Sequence, residues 1–186
     1  MARPGGFQRA AASAKAMLAA AMLPAAMLPA AMLALVLSTG AHAMAVGDTA
    51  PDFARADLSG RQLTLSGLRG KLVLLNFWAT WCAPCREEMP AFSKWQQAWG
   101  AQGLQVVGVS MDDDAAAVRG FLAKRPVAYP VVMGDAALGE HLGGILGLPL
   151  SYLVDPNGLV VARFQGEANL AAMEAAIRKQ LPHHSR

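Results

Sequence analysis

An almost unbroken apolar run, Lys71-Leu-Val-Leu-Leu-Asn-Phe-Trp78, leads straight to the only two cysteines of the chain, Cys82 and Cys85. A run without polar alternation has both faces covered, which marks a central strand of a layered α/β domain. Cys85, Met89, Phe92, Gln96 and Trp99 follow at helical spacing, with Pro90 as a kink site and Gly100 and Gly103 as stops. A strand therefore feeds a helix, and the cysteines lie at the junction. Residues 104–110 read as the next strand. Asp112, Asp113 and Asp114 then read as the cap of a helix that runs to Lys124 and ends before Pro126. No further carboxylates follow at calcium-loop spacing, so capping is preferred to a metal site there.

The junction also constrains the chemistry. Two residues between cysteines let the sulfurs meet when the second lies in the first helical turn and the first at the helix N-terminus. Unpaired N–H groups and the positive end of the helix dipole there favour thiolate over thiol. Closing so short a loop removes little chain entropy, which makes a structural staple a weak purpose for the pair. Trp81-Cys82-Ala83-Pro84-Cys85 thus reads as a dithiol that cycles with a disulfide and is itself the redox group, with no further cofactor or metal expected.

Downstream, residues 129–133 suggest a short strand and 136–142 a short helix. Gly143, Gly144 and Gly147 then loosen the chain before Leu148-Pro149-Leu150. Residues 151–154 and 159–164 flank Asp155-Pro156-Asn157-Gly158, a hairpin signal, and 169–181 form a last helix with Leu170, Met173, Ile177 and Leu181 on one face. Upstream, residues 47–68 carry Ala50-Pro51-Asp52-Phe53 and a turn at Leu58-Ser-Gly-Arg61, read as an N-terminal hairpin at the sheet edge. His141 is expected to be structural or exposed, and the tail 183–186 to be frayed.

Residues 1–43 are of different material. Arg3, Arg9 and Lys15 precede a 22-residue Ala/Met/Leu run (16–37) interrupted by Pro24 and Pro29, and Ala41-His42-Ala43 offers a small-x-small cleavage site. This is the pattern of an export signal, and the run is long enough to anchor the chain in a bilayer if it is retained. The segment holds three of the 16 basic residues and none of the 13 acidic ones, so the remaining 143 of 186 residues are charge-balanced. The basic character of the whole chain is therefore leader chemistry, and it gives no reason to expect nucleic acid or an anionic surface as partner. The expected organisation is a signal peptide over 1–43, one domain over 44–182 and the tail.

The order of elements and the motifs resemble the thioredoxin fold, and more narrowly the exported TlpA/ResA/DsbE-like branch, over 46–181. The residues that carry this are Ala50-Pro51-Asp52-Phe53, Gly70-Lys71, the run from Asn76 through Trp81-Cys82-Ala83-Pro84-Cys85 to Pro90, Gly147-Leu148-Pro149, and Tyr152-Leu-Val-Asp-Pro-Asn-Gly158. The resemblance implies an α/β architecture, a central mixed sheet flanked by helices with an N-terminal β-hairpin and a short βα insertion. It also implies a thiol:disulfide oxidoreductase in which Cys82 attacks, Cys85 resolves, and Glu88 tunes ionisation and passes protons. Pro149 would be a cis-proline that, with Trp81, Pro84 and Leu148, receives the substrate; Trp81 would be a packing wall beside the sulfurs. Asn76 stands where cytosolic thioredoxins carry a buried aspartate. Leu150 replaces a threonine common after the cis-proline, which removes a side-chain contribution to substrate choice.

The implied partners are exported proteins with disulfides, such as apocytochrome c or a copper-site protein, and a membrane thiol donor of the DsbD/CcdA type. The implied place is the periplasm, membrane-bound only if the leader is kept. Two rivals remain. The thiols could serve a copper or apoprotein chaperone, or a peroxiredoxin-like thiol peroxidase, although Thr80 lies two residues before Cys82 where a peroxidase needs three. A c-type haem site is excluded, because Arg86 stands where it needs histidine.

Overall fold

The computed structural model describes residues 43–167 and 169–181. The expected leader (Ala43 excepted), Pro182 at the end of the expected domain and the expected tail 183–186 lie outside the described residues. Among the described residues seven strands and four α-helices follow in the order β1 (Ala54–Ala56), β2 (Gln62–Thr64), β3 (Leu72–Trp78), α1 (Ala83–Trp99), β4 (Leu104–Ser110), α2 (Ala115–Lys124), β5 (Val131–Met133), α3 (Ala136–His141), β6 (Leu150–Val154), β7 (Val160–Gln165) and α4 (Leu170–Gln180). This is the thioredoxin-like α/β fold expected from the sequence.

The five-stranded sheet has the order β5-β4-β3-β6-β7, with β3, β4 and β5 parallel and β6 and β7 antiparallel to their neighbours. The crossovers β3-α1-β4 and β4-α2-β5 step in one direction, so right-handed connections carry α1 and α2 over the same face. Both helices, together with α4, bury side chains in one cluster with Leu72, Leu74, Trp78, Leu104 and Val106. The chain then crosses back over the other face, where Leu138 and Leu142 join Phe53, Leu65, Val73, Leu75, Phe77 and Tyr152. Every residue of β3 is buried, which is why its sequence shows no alternation. Its one polar member, Asn76, lies opposite Ser151 and donates to that hydroxyl at 3.0 Å.

The N-terminal hairpin forms its own two-stranded sheet and touches the edge strand β5 through a bridge between Asp57 and Val132. Asp57 closes its turn. Oδ1 accepts from the Ser59 N–H (2.9 Å), the Ser59 hydroxyl (2.6 Å) and the Arg61 N–H (3.0 Å), and Oδ2 pairs with the Arg61 guanidinium (3.0 Å). The Ser59 hydroxyl is the main reason the Asp57 carboxyl is held down from 3.8 to about 2; burial opposes it and the Arg61 bonds add to it. Between those values the unfolded chain binds the proton and the folded chain does not, so stability is present above about 3.8 and lost as the pH falls toward about 2. Thermal melts across this window are expected to show a shallower loss for Asp57→Asn than for the parent; an unchanged slope would show that the turn does not contribute.

Three expectations need correction. Of the three aspartates, only Asp114 caps α2, accepting from the Ala116 N–H at 2.8 Å; Asp112 is buried and bonds elsewhere. On α1 the buried residues are Cys85, Glu88, Met89, Phe92, Trp95 and Trp99, whereas Gln96 lies at the margin with its Oε1 accepting the Val106 N–H at 2.6 Å. Trp81 is the third, described below.

Candidate active site

Cys82 and Cys85 form a disulfide at the junction of β3 and α1, with S–S 2.08 Å and Cα–Cα 5.3 Å. Cys82 is the N-cap of α1 and Pro84 stands in its first turn. Proline is suited to that place, since its φ is already helical and its missing N–H is one that the helix could not use. Among the described residues the N–H groups of Ala83 and Cys85 have no acceptor, and they lie at the positive end of the 17-residue helix. A sulfur at the N-cap is therefore the one that the helix favours as thiolate. Cys82 is 5% exposed and Cys85 1%, so the N-terminal sulfur is also the more accessible.

The register of the sheet brings a second loop to this point. Phe77 lies opposite Leu150, so the chain before β6 runs beside the segment that carries β3 on to Cys82. The Leu148–Pro149 bond is cis, as expected. Pro149 accepts the Gly166 N–H at 2.9 Å, whereas neither backbone polar group of Leu148 has a hydrogen-bond partner among the described residues. An extended chain can pair with that free edge. Leu150 is fully buried in the opposite core cluster and offers nothing to the rim. Trp81 is 69% exposed, so it is no packing wall: the chain has left β3 by then, and the ring stands at the surface next to Cys82. Leu146, 92% exposed in the glycine-flanked loop before Pro149, is a second open apolar side chain that the sequence reading did not single out.

Behind the sulfurs, Glu88 is buried on the same helix face as Cys85. Tyr129, in the same cluster as Cys85, has its hydroxyl pushed well above the ordinary value of 10.0, chiefly by burial and further by the charge of Glu88. Gly108 of β4 makes room here, because a Cβ in its place would lie 3.1 Å from Trp78 Nε1 and 3.2 Å from the Tyr129 ring. Asp112 was also missed as a member of the site. It accepts from the Thr80 N–H (2.9 Å), the Thr80 hydroxyl (2.6 Å) and the Ser110 hydroxyl (2.8 Å), and so ties the loop before Cys82 to the end of β4. The hydroxyls at the ends of two predicted neighbouring strands were the available signal.

Among the described residues no helix is long and apolar enough to cross a membrane, and no group of three or more His, Cys, Asp or Glu side chains could hold a metal ion. The arrangement can accept an electron pair into the disulfide, return it from a Cys82 thiolate, and hold a second chain beside Leu148.

Comparison with known proteins agrees with this geometry. The profile of the AhpC/TSA family matches residues 46–163. A thiol-disulfide oxidoreductase ResA of Bacillus thuringiensis subsp. konkukian is 32% identical over 139 residues, covering 75% of this chain and 80% of the relative. The ResA of Geobacillus thermodenitrificans is 39% identical over 120 residues, covering 63% and 68%. A crystal structure from Chlorobium tepidum, assigned to the thiol:disulfide interchange protein DsbE, superposes with a TM-score of 0.71 at 35% identity, covering 75% of this chain and 100% of that one.

Proposed function

This chain belongs to the AhpC/TSA family and is a thiol-disulfide oxidoreductase of the ResA/DsbE type, and from that premise we propose that it serves as a reductase of selected exported proteins in the periplasm. The observation that carries the chemistry is the Cys82–Cys85 pair at the start of α1. In the reduced state the Cys82 thiolate attacks a disulfide sulfur of the partner, forming a mixed disulfide and releasing one partner sulfur. Cys85 then attacks Cys82, which frees the second partner sulfur and leaves the Cys82–Cys85 disulfide. Two electrons pass to the partner, whose sulfurs take up the two protons that Cys82 and Cys85 give up. Glu88, buried on the same helix as Cys85 and three residues on, would take the Cys85 proton and pass it outward. A membrane thiol donor of the DsbD/CcdA type would restore the dithiol, since an oxidising compartment offers no reductant of its own.

One contact favours this reading over the peroxidase. A peroxidatic cysteine needs a threonine hydroxyl directed at it, and the Thr80 hydroxyl is given to Asp112. The reducing direction rests on the resemblance of Ala83-Pro84 and Glu88 to that branch, and the substrate class on the same ground: haem-attachment cysteines of apocytochrome c or copper-site cysteines. The export pattern of 1–43 supports the location.

The test is a Cys85→Ser variant expressed in the exporting cell, where the second step is blocked and the partner stays attached to Cys82. Capture of an apocytochrome or a copper-site protein is the expected outcome. Capture of many unrelated exported proteins would instead make the protein a general oxidant.

A further inference from the structure

We propose that the groove between α1 and the connection from α2 to β5 is a second contact surface, which takes an acidic segment of the redox partner. The inference rests on the oxidoreductase reading and adds a preference among its substrates. The groove encloses about 720 Å³ and begins at Ala83, between the two cysteines. It follows the row Arg86, Pro90 and Lys94 along α1, one helical turn apart, and its opposite wall carries Arg125. Ser93 accepts the Ala128 N–H at 3.2 Å and joins the two walls. Leu148 and Pro149 line no part of it, so a chain can occupy the groove and pair with the Leu148 edge together.

Its charge is what selects the occupant. Arg86, Lys94 and Arg125 face a single carboxylate, Glu87, whereas residues 44–186 are balanced overall. Arg55, Arg61 and Arg178 are paired with Asp135, Asp57 and Glu174, whereas Arg86, Lys94 and Arg125, like Arg69, Arg119 and Arg163, make no ion pair among the described residues; what sets the groove apart is that its three unpaired cations line one concavity. Arg125 is instead oriented by the Phe121 ring, 5.2 Å from its guanidinium carbon, which fixes its direction without cancelling its charge. Cations along a concave wall concentrate the field and raise the encounter rate of an oppositely charged chain. Ala83 to Lys94 spans about 16 Å of helix, the reach of about five extended residues. Carboxylates within that distance of the partner's cysteine would meet Arg86 and Lys94 while the sulfur meets Cys82.

The experiment compares reduction of two peptide dimers by the reduced protein, each linked through one central cysteine, flanked by glutamates in one and by lysines in the other. Neutral hydroxyethyl disulfide reports the bare exchange chemistry. The glutamate peptide is expected to react about tenfold faster at about 20 mM salt, with the advantage mostly lost at about 0.5 M. The double variant Lys94→Glu/Arg125→Glu is expected to invert the ratio of the two rates. Equal rates for the two peptides overturn the proposal while turnover of the neutral disulfide leaves the oxidoreductase reading standing. Oxidised glutathione reacting as fast as the glutamate peptide also overturns it, in favour of a small anionic disulfide as substrate. If the neutral disulfide does not react either, the oxidoreductase reading fails and the groove's role falls with it.

Discussion

Replacing Cys82 with serine is expected to reduce disulfide exchange on the order of a thousandfold, which corresponds to about 4 kcal/mol of barrier. A serine hydroxyl does not ionise near neutral pH even beside a helix N-terminus, so the nucleophile is lost outright. Cys85 cannot replace it. It is 1% exposed inside the first turn of α1, where a partner's disulfide has no approach. The companion variant Cys85→Ser should behave differently, because Cys82 keeps its place at the N-cap. It should release one partner thiol per protein molecule in a single burst and then stop as a mixed disulfide. Single-turnover kinetics, with mass spectrometry of the product, separates the two outcomes. Retention of steady turnover by Cys82→Ser would show that the attacking sulfur has been assigned to the wrong cysteine.

The contrast between these two cysteines was readable in the sequence because it depends on local rules. A buried strand, two residues, a proline and a helical repeat fix which sulfur caps the helix and which lies inside it. The cis bond at Pro149 was legible only through resemblance, since nothing in Gly-Leu-Pro-Leu by itself favours cis over trans. Trp81 was misread because periodicity ends with β3 at Trp78, and beyond that point no repeat indicates which way a side chain faces. Trp95 and Gln96 are adjacent on α1, and a spacing of three or four admits either to the core. The edge of β4 decides between them, by offering the Val106 N–H to the Gln96 amide.

The aspartates at 112–114 show the same limit, and replacing them one at a time gives the second large effect. The three side chains are chemically identical, yet they occupy three environments. Asp113 is exposed and its replacement by alanine should change stability by less than about 0.5 kcal/mol. Asp114 caps α2 through the Ala116 N–H, and alanine there should cost about 1 kcal/mol. Asp112 is 8% exposed and is the acceptor for Thr80 N–H, Thr80 hydroxyl and Ser110 hydroxyl, so alanine would leave all three donors without it. Hydrogen bonds to an ionised acceptor contribute more than neutral ones, and the expected cost is about 3 kcal/mol, or a fall of about 10 °C in Tm. The same change frees the loop two residues before Cys82, so the rate of the first exchange step should fall about tenfold, as misplacement of a reacting group commonly does. Asp112→Asn, which keeps acceptor oxygen but loses the charge, should recover part of both. If instead all three alanine variants melt together and react alike, Asp112 does not hold the loop, and the position of Cys82 depends on α1 alone.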